Sequence, residues 1–370
     1  MTMKKFFLII AGLCCAVLCA AQMRFRPRVE ADYEYLFHNR EFAYSGETIA
    51  TSETVHLVRY TPAIGFNART GRFKHAFRLG FDLAYNLGSR DLKSIPQEPV
   101  AYYDLRMETG KGRFEGVAGI FPRAFACQGY SEAIWSDYYK LTDRFMEGLL
   151  LKYRSETFRS ELGCDWMEFY GDNHRERFQI ISYGEWSPLK WLSAGWQLSA
   201  FHYANYIITP TDAIAGLGAV GGSGVADNHI VKPFLKLGLP ERGKLKELSL
   251  SAGPVLAYQW ERRQQELPSL LYGGESVLTL KLASLNVRNT VYLGQELQPL
   301  RAMRDKNGDL YGNNLYFGDP FYSGFLDKLH IAWEPRIGRF LSFTVGADAY
   351  FCGNGFAGWT QTIGLRLKCK

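Results

Sequence analysis

The chain has 370 residues, a formal charge of +6, 22% charged residues and a mean hydropathy of −0.18. A charge this mild points to neither nucleic acid nor an acidic partner, and no apolar run after the N-terminal segment approaches the roughly 18 residues of a transmembrane helix. Aromatic residues at 15% and 37 glycines fit a chain that meets lipid through every second side chain, an arrangement that keeps mean hydropathy near neutral.

At the N-terminus, Lys4 and Lys5 precede an apolar stretch from Phe6 to Leu18 and a small-residue cleavage site, Cys19-Ala20-Ala21. Residues 1–21 are therefore expected to be an export signal. The mature chain is expected to start at Gln22 and to form one domain over 22–370. Cys14, Cys15 and Cys19 follow Leu13, Cys14 and Leu18 rather than a small residue, which speaks against lipidation.

From residue 28 onward the chain divides into about sixteen segments of about ten residues in which apolar and polar side chains alternate. Strands are predicted near 28–37, 54–65, 73–86, 99–108, 112–121, 144–154, 157–168, 176–186, 191–205, 229–239, 245–259, 275–283, 285–295, 321–334, 339–351 and 357–369. The clearest is 73–85, where Phe73, Phe77, Leu79, Phe81, Leu83 and Tyr85 share one face and Lys74, Arg78 and Asp82 the other. Only a strand separates them so. The last two segments repeat the pattern with Leu341, Phe343, Val345 and Ala347, then Trp359, Ile363, Leu365 and Leu367.

The connectors alternate in length. Short ones fall at 68–72, 109–112, 155–156, 187–190, 240–244 and 335–338, and several carry the glycine or proline that a tight turn needs. Long ones fall at 38–53, 87–98, 122–143, 206–228, 260–274 and 296–320. One-sided long loops are the habit of a transmembrane antiparallel β-barrel. A soluble sandwich or propeller predicts no such asymmetry, and no blade-length repeat is visible. The fold class read from the sequence is thus all-β, a barrel of about sixteen strands in the outer membrane with both termini on the periplasmic, short-turn side. Aromatic clusters at strand ends suit the lipid–water boundary: Tyr33, Tyr35 and Phe37; Trp166, Phe169 and Tyr170; Trp186 and Trp191; Tyr258 and Trp260; Tyr350 and Phe351.

The mature chain keeps Cys127, Cys164, Cys352 and Cys369. Cys127 and Cys352 fall in predicted outer loops, which leaves their pairing open, and no Cys/His spacing suggests a metal. Asp305-Lys-Asn-Gly-Asp309 has oxygen ligands at calcium-loop offsets, but Tyr316 stands where a bidentate Glu belongs. Gly216–Gly224 lacks the lysine and the strand–turn–helix context of a phosphate loop and reads as a flexible outer loop. No cofactor is implied. Catalysis is not expected either: the seven histidines are scattered, and His202, in the outward register, has no evident base partner.

The closing segment, Trp359-Thr-Gln-Thr-Ile-Gly-Leu-Arg-Leu-Lys-Cys369, is similar to the terminal strand read by the barrel-assembly machinery of Gram-negative bacteria, although the chain ends in Cys369-Lys370 and not in the usual aromatic residue. The Gly119-Ile-Phe-Pro-Arg123 run, with Asp165-Trp166 and Arg175-Glu-Arg-Phe178, resembles porin-like outer-membrane barrels of Bacteroidetes-type bacteria. The Pro-Glu-Phe-Gly-Gly loop signature of the general trimeric porins is absent, so neither their selectivity nor their trimerisation carries over, and homo-oligomerisation is left open. The resemblance implies a passive channel for small hydrophilic solutes, with outer-membrane lipid and the assembly machinery as its other partners. It also implies that the third long loop, 122–143, narrows the lumen, which would make Arg123, Glu132, Asp137, Lys140 and Asp143 constriction residues. A cap on the outer rim is the alternative.

On the polar strand faces, Lys74, Arg78, Asp82, Arg106, Arg113, Arg159, Asp165 and Arg288 are the expected pore-lining residues. Basic groups on these faces outnumber acidic ones, which would give a mild anion preference unless the charges pair. A barrel filled by its loops, acting as an adhesion or assembly scaffold, is the second reading.

Overall fold

The computed structural model describes residues 25–43, 50–88, 97–169, 176–208, 222–262, 265–301 and 315–369. The expected signal, Tyr170, His174, Arg175, residues 216–221 of the glycine run and Asp305–Asp309 lie outside the described residues.

The described strands are β1 (Arg26–Phe42), β2 (Glu53–Thr70), β3 (Phe73–Asn86), β4 (Gln97–Glu108), β5 (Arg113–Pro122), β6 (Phe145–Arg154), β7 (Phe158–Glu168), β8 (Arg177–Leu189), β9 (Leu192–Ile208), β10 (Gly222–Leu239), β11 (Leu245–Glu261), β12 (Ser269–Leu282), β13 (Leu285–Gly294), β14 (Gly324–Trp333), β15 (Arg336–Ile337), β16 (Leu341–Cys352) and β17 (Gly355–Cys369). The two-residue β15 sits in the connector between β14 and β16, so the wall has sixteen staves. Each pairs antiparallel with its neighbours in the chain, and β17 returns to β1 in register from Ala31↔Cys369 to Phe42↔Gly358. The sheet is closed.

Alternation along each strand decides which side chain meets lipid. On β3, Leu79 and Phe81 are 47% and 56% exposed, whereas Arg78 and Asp82 are 6% and 5% exposed. That is the reverse of a water-soluble protein and the signature of a wall with lipid outside. Outward-facing Leu162, Leu235, Leu250, Leu278, Val345 and Ile363 continue the apolar band around the barrel.

The strands run further than the sequence predicted at the long-connector end, as in β1 to Phe42 and β10 from Gly222. There both faces turn polar (His38, Asn39, Arg40, Glu41), so the alternation fades while backbone pairing continues. At the other end the turns are tighter. Thr70 lies opposite Phe73, and Gly71 takes the positive φ, +57°, that a two-residue hairpin turn requires. The final hairpin is an exception to the length rule, because Cys352 faces Gly355 across only Gly353 and Asn354. Cys352 is therefore a strand residue, and Cys127 and Cys352 are both unpaired.

Exposed aromatics gather at both ends of the staves. Phe73, Trp186, Trp191 and Trp333 lie near the short turns; Trp166, Phe169, Phe351 and Phe356 lie near the long connectors. Tyr350 leaves the expected girdle, since it faces inward, 5% exposed, against Phe42, Phe321 and the Lys328 ammonium.

Leu250 stands opposite Leu278 in the apolar band. Leu250→Arg should cost about 2–4 kcal/mol of stability, because the guanidinium would face hydrocarbon. Urea unfolding of the protein in lipid vesicles measures it. An inward-facing Ser251→Arg control should change stability far less.

Candidate functional site: the barrel lumen

The connector 123–144 folds into the barrel and not over its rim. It opens with a single 3₁₀ turn (Arg123–Phe125) and ends with a short helix, α1 (Asp137–Thr142), whose N-cap Ser136 hydroxyl accepts from the Tyr139 N–H at 3.0 Å. Between them Ala126, Tyr130, Ala133, Ile134 and Trp135 are buried against inward-facing Val117, Phe121, Leu150, Ile181, Tyr183 and Phe234. This apolar burial drives the loop inward.

Buried polar groups must then find partners within the lumen, and the wall supplies them. Trp135 Nε1 donates to Gln179 (2.8 Å), the Ser131 N–H to Gln197 (2.6 Å), Gln197 Nε2 to the Gly129 carbonyl (2.9 Å) and the Cys127 N–H to Glu161 (2.9 Å).

A second inward segment, absent from the sequence reading, comes from the connector between β13 and β14. Leu297, Leu300, Leu315, Tyr316, Phe321 and Tyr322 are buried there. It joins the first loop through Ser136 N–H to Phe317 O (2.8 Å) and Asp319 N–H to Glu132 O (2.7 Å). Gly318 permits the contact, since a Cβ at that position would lie 2.2 Å from the Ala133 carbonyl oxygen. The apolar and aromatic content of 315–322 was the sequence signal that this connector does not lie in water.

Ion pairs pin both segments. Glu132 accepts from Arg288 at 2.6 Å and from Lys328; Arg288 also meets Asp137, and Lys328 lies 3.5 Å from Asp319. Burial, then the adjacent Asp137 charge, pushes Glu132 up from the ordinary carboxylate range. Burial opposes ionisation of Asp137 as well, but Arg288, Lys140 and Lys328 outweigh it and hold that carboxyl well below its usual range. Arg123, 3% exposed, bridges Asp143 (2.8 Å) and Asp165 (2.7 Å), donates to the Phe145 carbonyl (2.7 Å) and lies under Tyr139 and Trp135. Burial pushes the Tyr139 phenol well above its usual value and lowers Arg301, in the second segment, to about 10. Lys232 pairs with Glu275, which also accepts from Ser131 and from Tyr322 (2.7 Å).

Of the five residues expected at the constriction, Arg123 and Glu132 are locked in these networks. Asp137 and Asp143 face one cavity, and Lys140 faces another. The residues expected along the wall divide similarly. Arg78 pairs with Glu30 (2.8 Å), Asp82 with Arg59 (3.3 Å), Arg106 with Asp104 and Glu115 (2.7 and 3.0 Å) and Arg159 with Glu185 (2.7 Å). Asp165 and Arg288 bind the first loop, Lys74 is half-exposed beside Glu108 at the turn end (3.1 Å), and Arg113 stands opposite Arg154 at the same end.

The sequence reading missed at least eight inward acids, Glu30, Asp32, Glu34, Glu53, Glu98, Glu185, Glu261 and Glu275, together with Arg40 and Arg59. On β1 the alternation of Val29, Ala31 and Tyr33 with Glu30, Asp32 and Glu34 was sufficient to find three of them. With these acids included, the basic excess inferred from the strand faces shrinks.

Two cavities lie in line within the lumen, of about 580 and 270 Å³. Along β1, His38, Arg40 and Phe42 line the larger, at the long-connector end, and Glu30 and Asp32 line the smaller. Inward-facing Glu34 and Leu36 fall between. On β2, Glu53 belongs to the larger cavity and Thr61 to the smaller, with Leu57 and Arg59 between. Phe145 lines both. The partition is thus Glu34, Arg59 and Asp82 on the wall, met from the loop by Arg144, which pairs with Glu34.

Described histidines bond to wall residues: His38 to Thr362 (2.9 Å), His56 to Tyr35 (2.8 Å), His75 to Tyr103 (2.5 Å) and His330 to Asp348 (2.6 Å). His202 does have a carboxylate partner, Asp227 at 2.6 Å, contrary to the sequence reading; Asp227 in turn lies 3.4 Å from Arg262. No metal-binding group of His, Cys, Asp and Glu occurs among the described residues.

No family model matches the chain, and no curated protein matches it. Solved structures do. OmpT of Vibrio cholerae superposes with a TM-score of 0.51 at 8% identity, covering 93% of this chain and 98% of that one. Its loop L8 deletion mutant gives 0.50 at 10% identity (93% and 99%), and OpdL of Pseudomonas aeruginosa 0.49 at 11% (93% and 98%). At such identities the likeness is one of fold: the chain is a porin-like barrel of the outer-membrane type.

Removing Lys232 alone strands the Glu275 carboxylate in the plug. Lys232→Met should therefore cost about 3–5 kcal/mol, and adding Glu275→Gln should restore a large part of it. Urea unfolding of the single and double variants in vesicles measures the difference.

Proposed function

We propose that this protein is an outer-membrane channel through which small hydrophilic solutes diffuse passively, by a path confined to one side of the lumen. The observation that carries this reading is the alignment of the two cavities along β1, with Glu34, Leu36, Leu57, Arg59, Asp82 and Arg144 between them. The long connectors take the outer face in this reading, so solutes enter the larger cavity first. The inward loop acts as a fixed constriction. Bonds to eight strands of the wall hold it, and a gate would have to break several buried ion pairs at once. Charged rings at such a narrowing set which solutes pass. Because nearly every inward cation is paired, a general anion preference is weaker than the strand faces alone suggested.

The second reading, a plugged barrel serving as a scaffold, is favoured by the Arg144–Glu34 contact, which spans the passage, and by the apolar packing that fills the far side. No enzymatic role is assigned in either reading. Both take residues 1–21 as the export signal and the closing strand as the segment read during assembly.

Planar-bilayer recording separates the two. The folded mature protein should give stable conductance steps, and Arg144→Ala should raise the unit conductance by about twofold or more, because it clears the narrowest part of the path. Silence from protein shown to be folded and inserted, in both the parent and the variant, favours the scaffold.

A further inference from the structure

The two cavities differ in charge as well as in position. Eight carboxyl groups line the larger one, against Arg40, Arg177 and Arg301. Five cationic side chains line the smaller one, Arg123, Lys140, Arg144, Arg366 and Lys368, against Glu30 and Asp32.

Pairing reduces the contrast without removing it. Arg40 meets Glu53 at 3.4 Å, and Arg123 serves both Asp143 and Asp165. Glu98 and Glu147 are in no ion pair among the described residues, so the larger cavity keeps more carboxyl groups than cationic ones. In the smaller cavity Arg366 pairs with Asp32 and Lys140 reaches back to Asp137 at 2.7 Å. The first inward loop itself presents acid upward (Asp137, Asp143) and base downward (Lys140, Arg144). At the belt between the cavities the two signs lie side by side, with Glu34 and Asp82 next to Arg59 and Arg144.

An axial arrangement of this kind acts differently on different ions. Low-dielectric walls focus the field of lining charges into the passage. A lone cation is drawn into the first cavity and repelled by the second, and a lone anion meets the opposite order. A small dipolar ion that carries its ammonium toward the first cavity and its carboxylate toward the second is favoured at both ends while it crosses the belt. We infer that the channel's preferred solutes are small zwitterions bearing one ammonium and one carboxylate, of the size of an amino acid or dipeptide. The inference rests on the channel reading above.

Uptake into proteoliposomes containing the mature protein tests it with four solutes of similar size: glycylglycine, N-acetylglycinamide (neutral), N-acetylglycine (anionic) and glycylglycinamide (cationic). At low ionic strength glycylglycine should enter at least about threefold faster than each of the others, and the advantage should shrink near 1 M salt, where screening acts within about 3 Å. Glu98→Gln combined with Lys140→Gln should level the four rates while N-acetylglycinamide still enters. Entry of N-acetylglycinamide with no advantage for glycylglycine overturns the inference and leaves the channel standing. Failure of all four to enter through folded, inserted protein overturns the channel reading, and the inference with it.

Discussion

Hydrocarbon offers no partner to a backbone N–H or C=O, so a sheet within it must close on itself. Here closure falls to β1, which pairs with β2 from Arg26 to Arg40 and with β17 from Ala31 to Phe42. The seam is tight. At its end Gly358 faces Phe42, and a Cβ on Gly358 would lie 2.4 Å from the Glu41 carbonyl oxygen. Closure fixes the face of every side chain at once. A one-residue slip at the seam would turn Glu30, Asp32 and Glu34 to lipid and Val29 and Tyr33 to the lumen. The charged wall of the passage and the apolar band outside are two consequences of the same register.

A ring of sixteen strands encloses more space than its own side chains fill. This chain fills one part and leaves two cavities in another. On β5, β6, β8, β10 and β11 the inward positions include Val117, Leu150, Ile181, Ile230, Phe234 and Val255, which have no reason to face water. The two inward segments cover them, and Gly318 lets those segments touch. On β1–β4 and β17 the inward positions are mostly charged, polar or small, and residues of these strands line both cavities.

The barrel was legible because its rule is periodic. Phe73–Tyr85 gives both its strand and its two faces to a reader who counts by two, and turns such as Gly71–Arg72 announce themselves by composition. Strand ends above the membrane were not legible: from His38 to Glu41 both faces are polar and the period carries no information. The plug was half legible. Aromatic residues in 122–143 marked a loop that seeks burial, but its partners, Gln179, Gln197, Glu275 and Lys328, are spread over four strands and adjoin only once the ring is closed. The helix α1 is too short for periodicity to reveal. For 315–322 the apolar content was present but lay in a connector read as an outer loop.

Net lumen charge was the least informative quantity in the sequence. A count of inward Lys and Arg against Asp and Glu treats the wall as one surface, whereas the ion pairs divide it. Lys328, Arg288 and Lys232 neutralise plug carboxylates and contribute little to any passing ion, because a cation already hydrogen-bonded to a buried acid presents a short-range dipole. What an ion meets is set by how the remaining pairs are oriented along β1: Asp137 and Asp143, with Glu98, line the larger cavity, and their loop neighbours Lys140 and Arg144 line the smaller one. Two barrels with identical composition and opposite placement of those few groups would differ in the solutes they favour. On the channel reading proposed above, selectivity would follow from how the fold orients its charge pairs, and at what depth.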